Sequence, residues 1–454
     1  MASGVRLAPS PAAPGPDGIL RDDAGAQEAR AEPPRMHKPG RARRRRGSRS
    51  HAHREWYMSV TRYVGLDIGA EAHLLAAVDP EGAVVQRPAR LTEDAAGYAQ
   101  LDALLARLGT PDALLVVCEA TGHYWQNVVA HLWAGGWRVA VVNALRASRY
   151  AAEELVRTKT DPADALLLAQ YGREKRPAPT PVADDATREL TELVRLRARL
   201  TQDFGDRVRQ LHRAVDLTFP EFTRHVRTLD SELAAAVLAR HPTARAFARV
   251  GPGELAALVY DGRHKVGDDL ARALVAAAKA SVGAHHGETY AREVRYACED
   301  LTTLRARLKE LEGEVRTLVE RHVVGRHLTT IPGVGPITAA SVLAEVGDFG
   351  RFPDAATLAS YAGLVPGLRH SGKRAPLRAG LYPVGNARLR RALYMATLTA
   401  VRRNPWLQAF YQRLVKRGKP KLVALTAAMR KLLGAMHSVA RRRQPFALPP
   451  AHPA

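Results

Sequence analysis

The sequence predicts an α/β sheet domain near the amino end, followed by a long and mainly helical remainder. Strand-like and helix-like stretches alternate from residue 60 to about 178, leucines at heptad-like spacing take over from Ala183, and Ala and Arg abound while aromatic residues make up only 6%. The chain is organised around Tyr63-Val64-Gly65-Leu66-Asp67-Ile68-Gly69 and the apolar run from His73 to Asp79. An apolar strand that ends in a carboxylate, turns at Gly69 and meets a second apolar run reads as a β-hairpin, with Asp67 in mid-sheet. A carboxylate there is costly to bury unless something positive meets it. A satisfied strand-end acid and a functional acid are both open readings at this point.

The next elements follow in order. A third extended piece covers Ala83 to Arg90, and a helix capped by Thr92 runs to Leu108. Leu114-Leu115-Val116-Val117-Cys118-Glu119 is a continuous apolar run, as expected of a strand buried on both faces. Tyr124 to Trp133 reads as a helix, Val139 to Asn143 as another buried strand, and a further helix follows. Such alternation implies ligands at the carboxyl ends of the strands, where Asp67 and Glu119 both lie.

Lys159-Thr160-Asp161-Pro162-Ala163-Asp164 then opens a helix. Asp161 before Pro162 suits a cap with no chemistry, the plainer reading. Asp164 lies one turn along on the same face. Asp67, Glu119, Asp161 and Asp164 are thus expected to converge, and like charges so placed cannot all ionise without cations among them. Oxygen donors without His or Cys suit Mg²⁺ or Mn²⁺. Two such ions about 4 Å apart are the usual clamp for in-line attack at a phosphodiester.

Beyond Ala183 the pattern is helical. Leu193, Leu200, Phe204 and Leu211 form one seam, and Leu301, Leu304, Leu308, Leu311, Val315 and Leu318 form a cleaner one. These helices are expected to pair as a coiled coil, either as an antiparallel hairpin or between subunits. A helical insert at about 217–287 separates them. Leu328 to Ala340, with Gly333-Val334-Gly335 at its turn, resembles a helix-hairpin-helix whose backbone amides approach a DNA phosphate. A tight interhelical turn is the alternative. Ser371 follows in a basic loop with Arg369, Lys373 and Arg374; it is an ordinary loop serine or a hydroxyl beside a phosphate site.

Charge narrows the partner class. The net charge is +23, and no acidic residue follows Asp354, after which come 14 Arg and 5 Lys. That is the footprint of a polyanion, and nucleic acid suits it better than a membrane surface, because no segment pairs a basic face with an apolar anchor face. No apolar run approaches the roughly 20 residues that cross a bilayer. Cys118 and Cys298 lack metal-ligand spacing, which points to a reducing, cytoplasmic setting. Residues 1–58, with Arg43 to Arg46, read as a disordered basic extension, and translation from Met1 or from Met58 fits equally. The expected organisation is a sheet domain at 60–178, a helical region at 183–325, a carboxyl-terminal domain at 326–445 and a tail at 446–454.

Val64-Gly65-Leu66-Asp67-Ile68-Gly69, Glu119-Ala120-Thr121-Gly122-His123-Tyr124-Trp125 and Lys159-Thr160-Asp161 with Asp164-Ala165 resemble the DEDD transposases of bacterial insertion sequences. The first string is shared with sugar kinases and related ATPases, but no second Gly-rich phosphate loop follows. Tyr361 to Arg374 and Gly385 to Leu393 resemble the carboxyl-terminal domain of that same family, with His370 where many members have Gln. The resemblance covers about residues 62–440. It implies an RNase H/RuvC-like domain whose four acids bind Mg²⁺ (or Mn²⁺), and Ser371 as a nucleophile that becomes joined to DNA. It further implies dimers or tetramers on double-stranded donor and target DNA, with the acids working beside Ser371 of a neighbouring subunit, and guidance by a structured non-coding RNA. Gly333, Gly335, Arg369, Lys373, Arg374, Asn386, Arg388, Arg390 and Arg391 are the expected nucleic-acid contacts. The rival expectations are a RuvC-like nuclease that hydrolyses with water, which needs no Ser371, and a catalytically inactive DNA- or RNA-binding derivative.

Overall fold

The structure, a computed structural model, describes residues 59–154, 160–182, 184–369, 377–381 and 384–448, with backbone only for 366–369 and 377–381. It divides into two compact units, one ending at Ala178 and one beginning at Pro179.

In the first unit β1 (Arg62–Ile68), β2 (Ala72–Val78) and β3 (Val84–Thr92) precede α1 (Ala95–Leu108), β4 (Leu114–Glu119) and α2 (Trp125–Ala134). Next come β5 (Val139–Val142), α3 (Ala144–Glu153) and α4 (Asp161–Lys175). The described strands form one sheet in the order β3-β2-β1-β4-β5, antiparallel from β1 to β3 and parallel from β1 through β4 to β5. Alternation along β1 sends Val64, Leu66 and Ile68 into a core with Leu101, Leu105, Val128 and Leu132 of α1 and α2. Tyr63 faces the other side, with Leu168, Ala169 and Tyr171 of α4 and Tyr150 of α3.

The contact between β1 and α4 is unusually close. A Cβ at Gly65 would lie 2.0 Å from the Ala165 carbonyl oxygen and 2.4 Å from the Ala169 nitrogen. The helix backbone therefore rests directly on the strand, and only glycine permits it. One local detail differs from expectation. Asp94, not Thr92, caps α1, accepting from the Gly97 N–H at 2.8 Å, while the Thr92 hydroxyl donates to Asp94. Thr92 itself ends β3, where strand pairing claims its backbone.

The second unit is helical. Its long helices are α5 (Asp185–Thr218) and, beyond an insert, α11 (Glu288–Arg321). The insert contains α6 (Phe222–His225), α7 (Glu232–Arg240), α8 (Ala244–Arg249), α9 (Pro252–Ala257) and α10 (Asp268–Lys279). Arg207 meets Asp300 at 2.8 Å and Arg213 meets Glu293 at 3.0 Å, so α5 and α11 run antiparallel within the chain. At one end Leu211, Leu301 and the aromatic trio Phe219, Phe222 and Phe247 form a core with the insert. At the other end Leu190, Val315 and Val319 join a separate core. Between them Leu200, Leu304, Leu308 and Leu311 are only half-buried.

That separate core is built with α12 (Val323–Leu328), α13 (Pro336–Val346), α14 (Ala355–Tyr361), α15 (Ala387–Arg403), α16 (Pro405–Lys416) and α17 (Lys421–Arg442). The strand pair β6 (Pro366–Arg369) and β7 (Leu377–Leu381) leaves it after α14. Past α17 the chain folds back: the Phe446 N–H donates to the Thr330 hydroxyl at 2.8 Å, and its ring lies 6.0 Å from Trp406. No helix among the described residues is long and apolar enough to cross a membrane.

The two kinds of glycine give opposite expectations. Gly65→Ala forces α4 off the sheet and is expected to cost about 2–3 kcal/mol, lowering the melting temperature of the first unit by on the order of 10 °C. Gly313, in α11, has no atom within 4 Å of an added Cβ. Gly313→Ala is therefore expected to stabilise the second unit by about 0.5–1 kcal/mol. Calorimetric melting of the two variants reads both signs.

Candidate active site

The four acids come from three elements of the first unit. Asp67 sits near the carboxyl end of β1, paired across β2 with Leu74. Glu119 ends the parallel neighbour β4, one residue past the Leu66–Cys118 register pair, and so stands beside Asp67. The Thr121 hydroxyl donates to the Glu119 carboxylate at 2.9 Å. Asp161 and Asp164 lie in the first turn of α4, the helix seated on Gly65.

Here the structure corrects the reading of Asp161 as a cap. Thr160 holds the N-cap position, no side chain caps the helix, and Asp161 is its first residue. Pro162 in the first turn removes a donor that would have no helical partner anyway. Both carboxylates are favoured there by the helix dipole. Asp161 is exposed, whereas Asp67, Glu119 and Asp164 are half-buried.

Asp67 reports on the convergence. Its pKa is pushed up to about 6, first by burial and then by the negative charges of Asp164, Asp161 and Glu119. The Ile68 N–H pulls the other way without prevailing. Among the described residues no group of three or more acidic, His or Cys side chains is already drawn into a metal-binding cluster. The donor set still fits a hard divalent cation: oxygen ligands only, carrying mutual repulsion that a cation would relieve.

A second network lies where sequence reasoning placed nothing. His73, 1% exposed, meets Glu93 at 2.5 Å, and Glu93 also accepts from Tyr98 at 2.9 Å and Asn127 at 3.2 Å. Burial raises the Glu93 pKa, but these hydrogen bonds outweigh it and leave the group below its ordinary value. The network ties β2, the end of β3, α1 and the start of α2 together. The only signal in the sequence is a histidine at an inward position of an apolar strand.

The remaining expected residues belong to the second unit. Ser371, Lys373 and Arg374 lie outside the described residues, as does the side chain of Arg369. Gly333 adopts φ +94°, and a Cβ there would lie 2.5 Å from Ala400 Cα, so this turn lets α15 close in. Gly335 begins α13 with open space beside it. Asn386 caps α15 and donates to Glu345 at 2.7 Å, and Arg388 lies 3.8 Å from the same carboxylate. Arg390 donates to the Ala362 carbonyl at 3.2 Å, while Arg391 is exposed. Asn386 and Arg390 thus have architectural partners of their own.

The raised pKa has a stability consequence. The folded state holds the Asp67 proton up to about pH 6, the unfolded chain only to about its ordinary 3.8. Its contribution is therefore intact below about pH 4 and lost as the pH rises through about 6. Without divalent metal, Asp67→Asn is expected to match wild type near pH 4 and to exceed it at pH 8. Allowing for the solvent-facing part of the carboxylate, the gain is about 1 kcal/mol, or about 4 °C in melting temperature. Melts across that pH range in EDTA provide the check.

Comparison with known proteins identifies the architecture. A transposase model of the DEDD, IS110 type matches residues 64–220, and one for the IS116/IS110/IS902 transposase family matches residues 325–412. The chain is 32% identical over 418 residues to the mini-circle putative transposase for IS117 of Streptomyces coelicolor, covering 86% of this chain and 96% of that one. It is 27% identical over 335 residues to the pilin gene-inverting protein of Moraxella lacunata, covering 73% and 82%. A solved chain of T. thermophilus RuvC in complex with Holliday junction substrate aligns at 19% identity and TM-score 0.20, over 26% of this chain and 99% of that one. Matched in both units, and along nearly the whole of a relative, this chain belongs to the IS110 family of bacterial insertion-sequence transposases, enzymes of DNA strand cleavage and transfer.

Proposed function

We propose that this transposase cuts and rejoins DNA through a phosphoserine intermediate, with Ser371 as nucleophile and Asp67, Glu119, Asp161 and Asp164 holding Mg²⁺ (or Mn²⁺). The observation that carries the acidic half is the convergence of three carboxylate charges on a half-buried Asp67. The strand order around β1, with acids at the ends of two parallel strands and on α4, supports reading this unit as RNase H/RuvC-like. The serine half rests on the family resemblance around Ser371 and on the basic residues beside it.

In the proposed step the Ser371 Oγ attacks the scissile phosphorus and loses its proton. An Oγ–P bond forms, the P–O bond to the departing strand breaks, and that strand leaves as a hydroxyl end. Rejoining is the reverse with a different strand: its hydroxyl displaces Ser371, which recovers its proton. Asp67, Glu119, Asp161 and Asp164 would hold Mg²⁺, which would supply orientation of the scissile phosphate and neutralisation of the charge developing on its oxygens.

The complete reading has this chain acting as a homo-oligomer, dimer or tetramer, on donor and target duplexes, directed by a structured non-coding RNA. The half-buried leucines midway along α5 and α11 support further helix pairing, in the manner of a coiled coil. The glycine turn between α12 and α13 suits a helix-hairpin-helix approach to phosphate at Gly335.

A denaturing gel with labelled DNA, the element's flanking RNA and Mg²⁺ tests the chemistry. Wild type is expected to give a slow, protease-sensitive DNA band. Ser371→Ala should lose that band while still binding nucleic acid, and Asp67→Asn should lose cleavage altogether. Free nicked DNA from Ser371→Ala at the wild-type rate would show a hydrolytic nuclease instead. In melting experiments at pH 8, Mg²⁺ is expected to stabilise wild type and to leave Asp67→Asn nearly unchanged.

A further inference from the structure

We propose that the cleft between α15, α16 and the start of α17 is a binding site for unpaired DNA bases. The inference rests on the chain's handling of DNA strands and adds a place where one of them is held. The cleft encloses about 440 Å³ and is lined by Tyr394 and Leu398 of α15, Tyr411 of α16 and Leu422 of α17, with Arg402 and Lys421 on its rim. Gln408 and Gln412 add amide donors and acceptors to its wall.

Two features need a ligand. Two of the apolar side chains that line the cleft are unusually open, Leu422 at 66% exposed and Tyr394 at 38%, and each has an exposed apolar sequence neighbour outside the lining, Val423 at 53% and Met395 at 60%. A cluster of such side chains at one cleft marks a binding surface rather than a scatter of ordinary surface residues. No acidic residue lines the cleft, and none follows Asp354 anywhere in the sequence. The occupant must therefore present flat apolar faces and negative charge together. A nucleotide in a single strand does both: its base stacks on a tyrosine ring over the aliphatic floor, and its phosphates meet Arg402 and Lys421.

Competing occupants fit less well. A duplex offers phosphates but hides the faces of its bases. A second copy of this chain, which carries a net charge of +23, would bring positive charge against a positive rim. Strand cleavage and transfer, by contrast, puts unpaired DNA within reach of the enzyme. None of the residues that form this cleft was singled out in the sequence, because the lining is drawn from three helices and no local motif announces it.

The test is fluorescence anisotropy of the full chain with a short labelled single-stranded DNA, with the same sequence as a duplex, and with the same sequence as RNA. Tyr394→Ala is expected to weaken single-stranded DNA binding by roughly 5- to 150-fold, the range of losing one stacked base, and to leave duplex binding unchanged. Tyr394→Phe should behave as wild type, since the ring and not the hydroxyl carries the contact. Lys421→Gln should weaken the same complex and flatten its salt dependence. Equal losses for duplex and single strand, or no loss for either, would overturn the assignment. A larger loss for RNA than for DNA would overturn the choice of DNA. If Tyr394→Ala instead changes the oligomeric mass while strand binding is intact, the cleft is a subunit contact and the inference fails. Wild type that binds neither duplex nor single strand would sink the DNA-handling reading itself.

Discussion

The seating of α4 on Gly65 is the constraint from which the acidic site follows. Where a strand and a helix meet through ordinary side chains, axes stand well apart, and acids on the helix stay remote from an acid on the strand. Here the Ala165 carbonyl and the Ala169 nitrogen lie where a Cβ of residue 65 would be. The first turn of α4, with Asp161 and Asp164, is drawn down beside β1, two residues along which stands Asp67. The resulting repulsion is unfavourable, and the sheet core of Val64, Leu66, Val116 and their helical neighbours must offset it. Of the causes that raise the Asp67 pKa, burial tells most, ahead of the charges of Asp164, Asp161 and Glu119. Repulsion of this kind is what a hard divalent cation would relieve.

The second unit organises charge in a different way. Along α5 and α11, arginines and acids are matched across the helix pair, as at Arg207–Asp300 and Arg213–Glu293, so that stretch has little net field. Past Asp354 the chain supplies no acids, so cations there can be matched only by acids from earlier in the sequence. The nearly buried Glu345 serves as an internal anchor, receiving Asn386 and standing near Arg388 where the chain returns from the β6–β7 strand pair. Asn386 also donates its backbone N–H to the Tyr361 carbonyl, closing the base of that excursion.

What could be read from the sequence was whatever depends on local pattern. The apolar runs at Val64–Leu66 and Leu114–Cys118 mark strands because both faces of the sheet are covered, and the acids at their ends were conspicuous for that reason. The leucine spacing on α11 gave an antiparallel hairpin or a pairing between subunits, and the opposed ion pairs place the antiparallel pair within the chain. Local pattern failed where two neighbours compete for one role, as with Thr92 and Asp94, or Thr160 and Asp161. It also failed where the reason for a residue is distant. Gly333 answers to Ala400 and His73 to Glu93, and neither pairing leaves a trace in the surrounding few residues. The serine rests on resemblance and the basic residues proposed beside it on sequence, since Ser371, Lys373 and Arg374, and the side chain of Arg369, lie outside the described residues.

Net charge alone overstates the nucleic-acid surface of the last hundred residues. Several of these cations are committed to partners within the protein. Lys431 lies 4.3 Å from the ring centres of both Trp406 and Phe410, and burial, with help from Arg413, lowers its pKa. Arg441 donates to the Gly350 carbonyl and Arg390 to that of Ala362. Each satisfies a carbonyl or an aromatic face that would otherwise need another partner, which is how a chain without acids can still pack its cationic helices. The charges left for phosphate are those with no such duty, and Arg402 and Lys421 are placed together at the rim of an apolar cleft. Counterion release measures only groups that meet phosphate, so the salt dependence of binding should reflect this smaller set. In the binding proposed for the cleft, the position of these cations beside an apolar surface, more than their total, is what would select a strand with exposed bases.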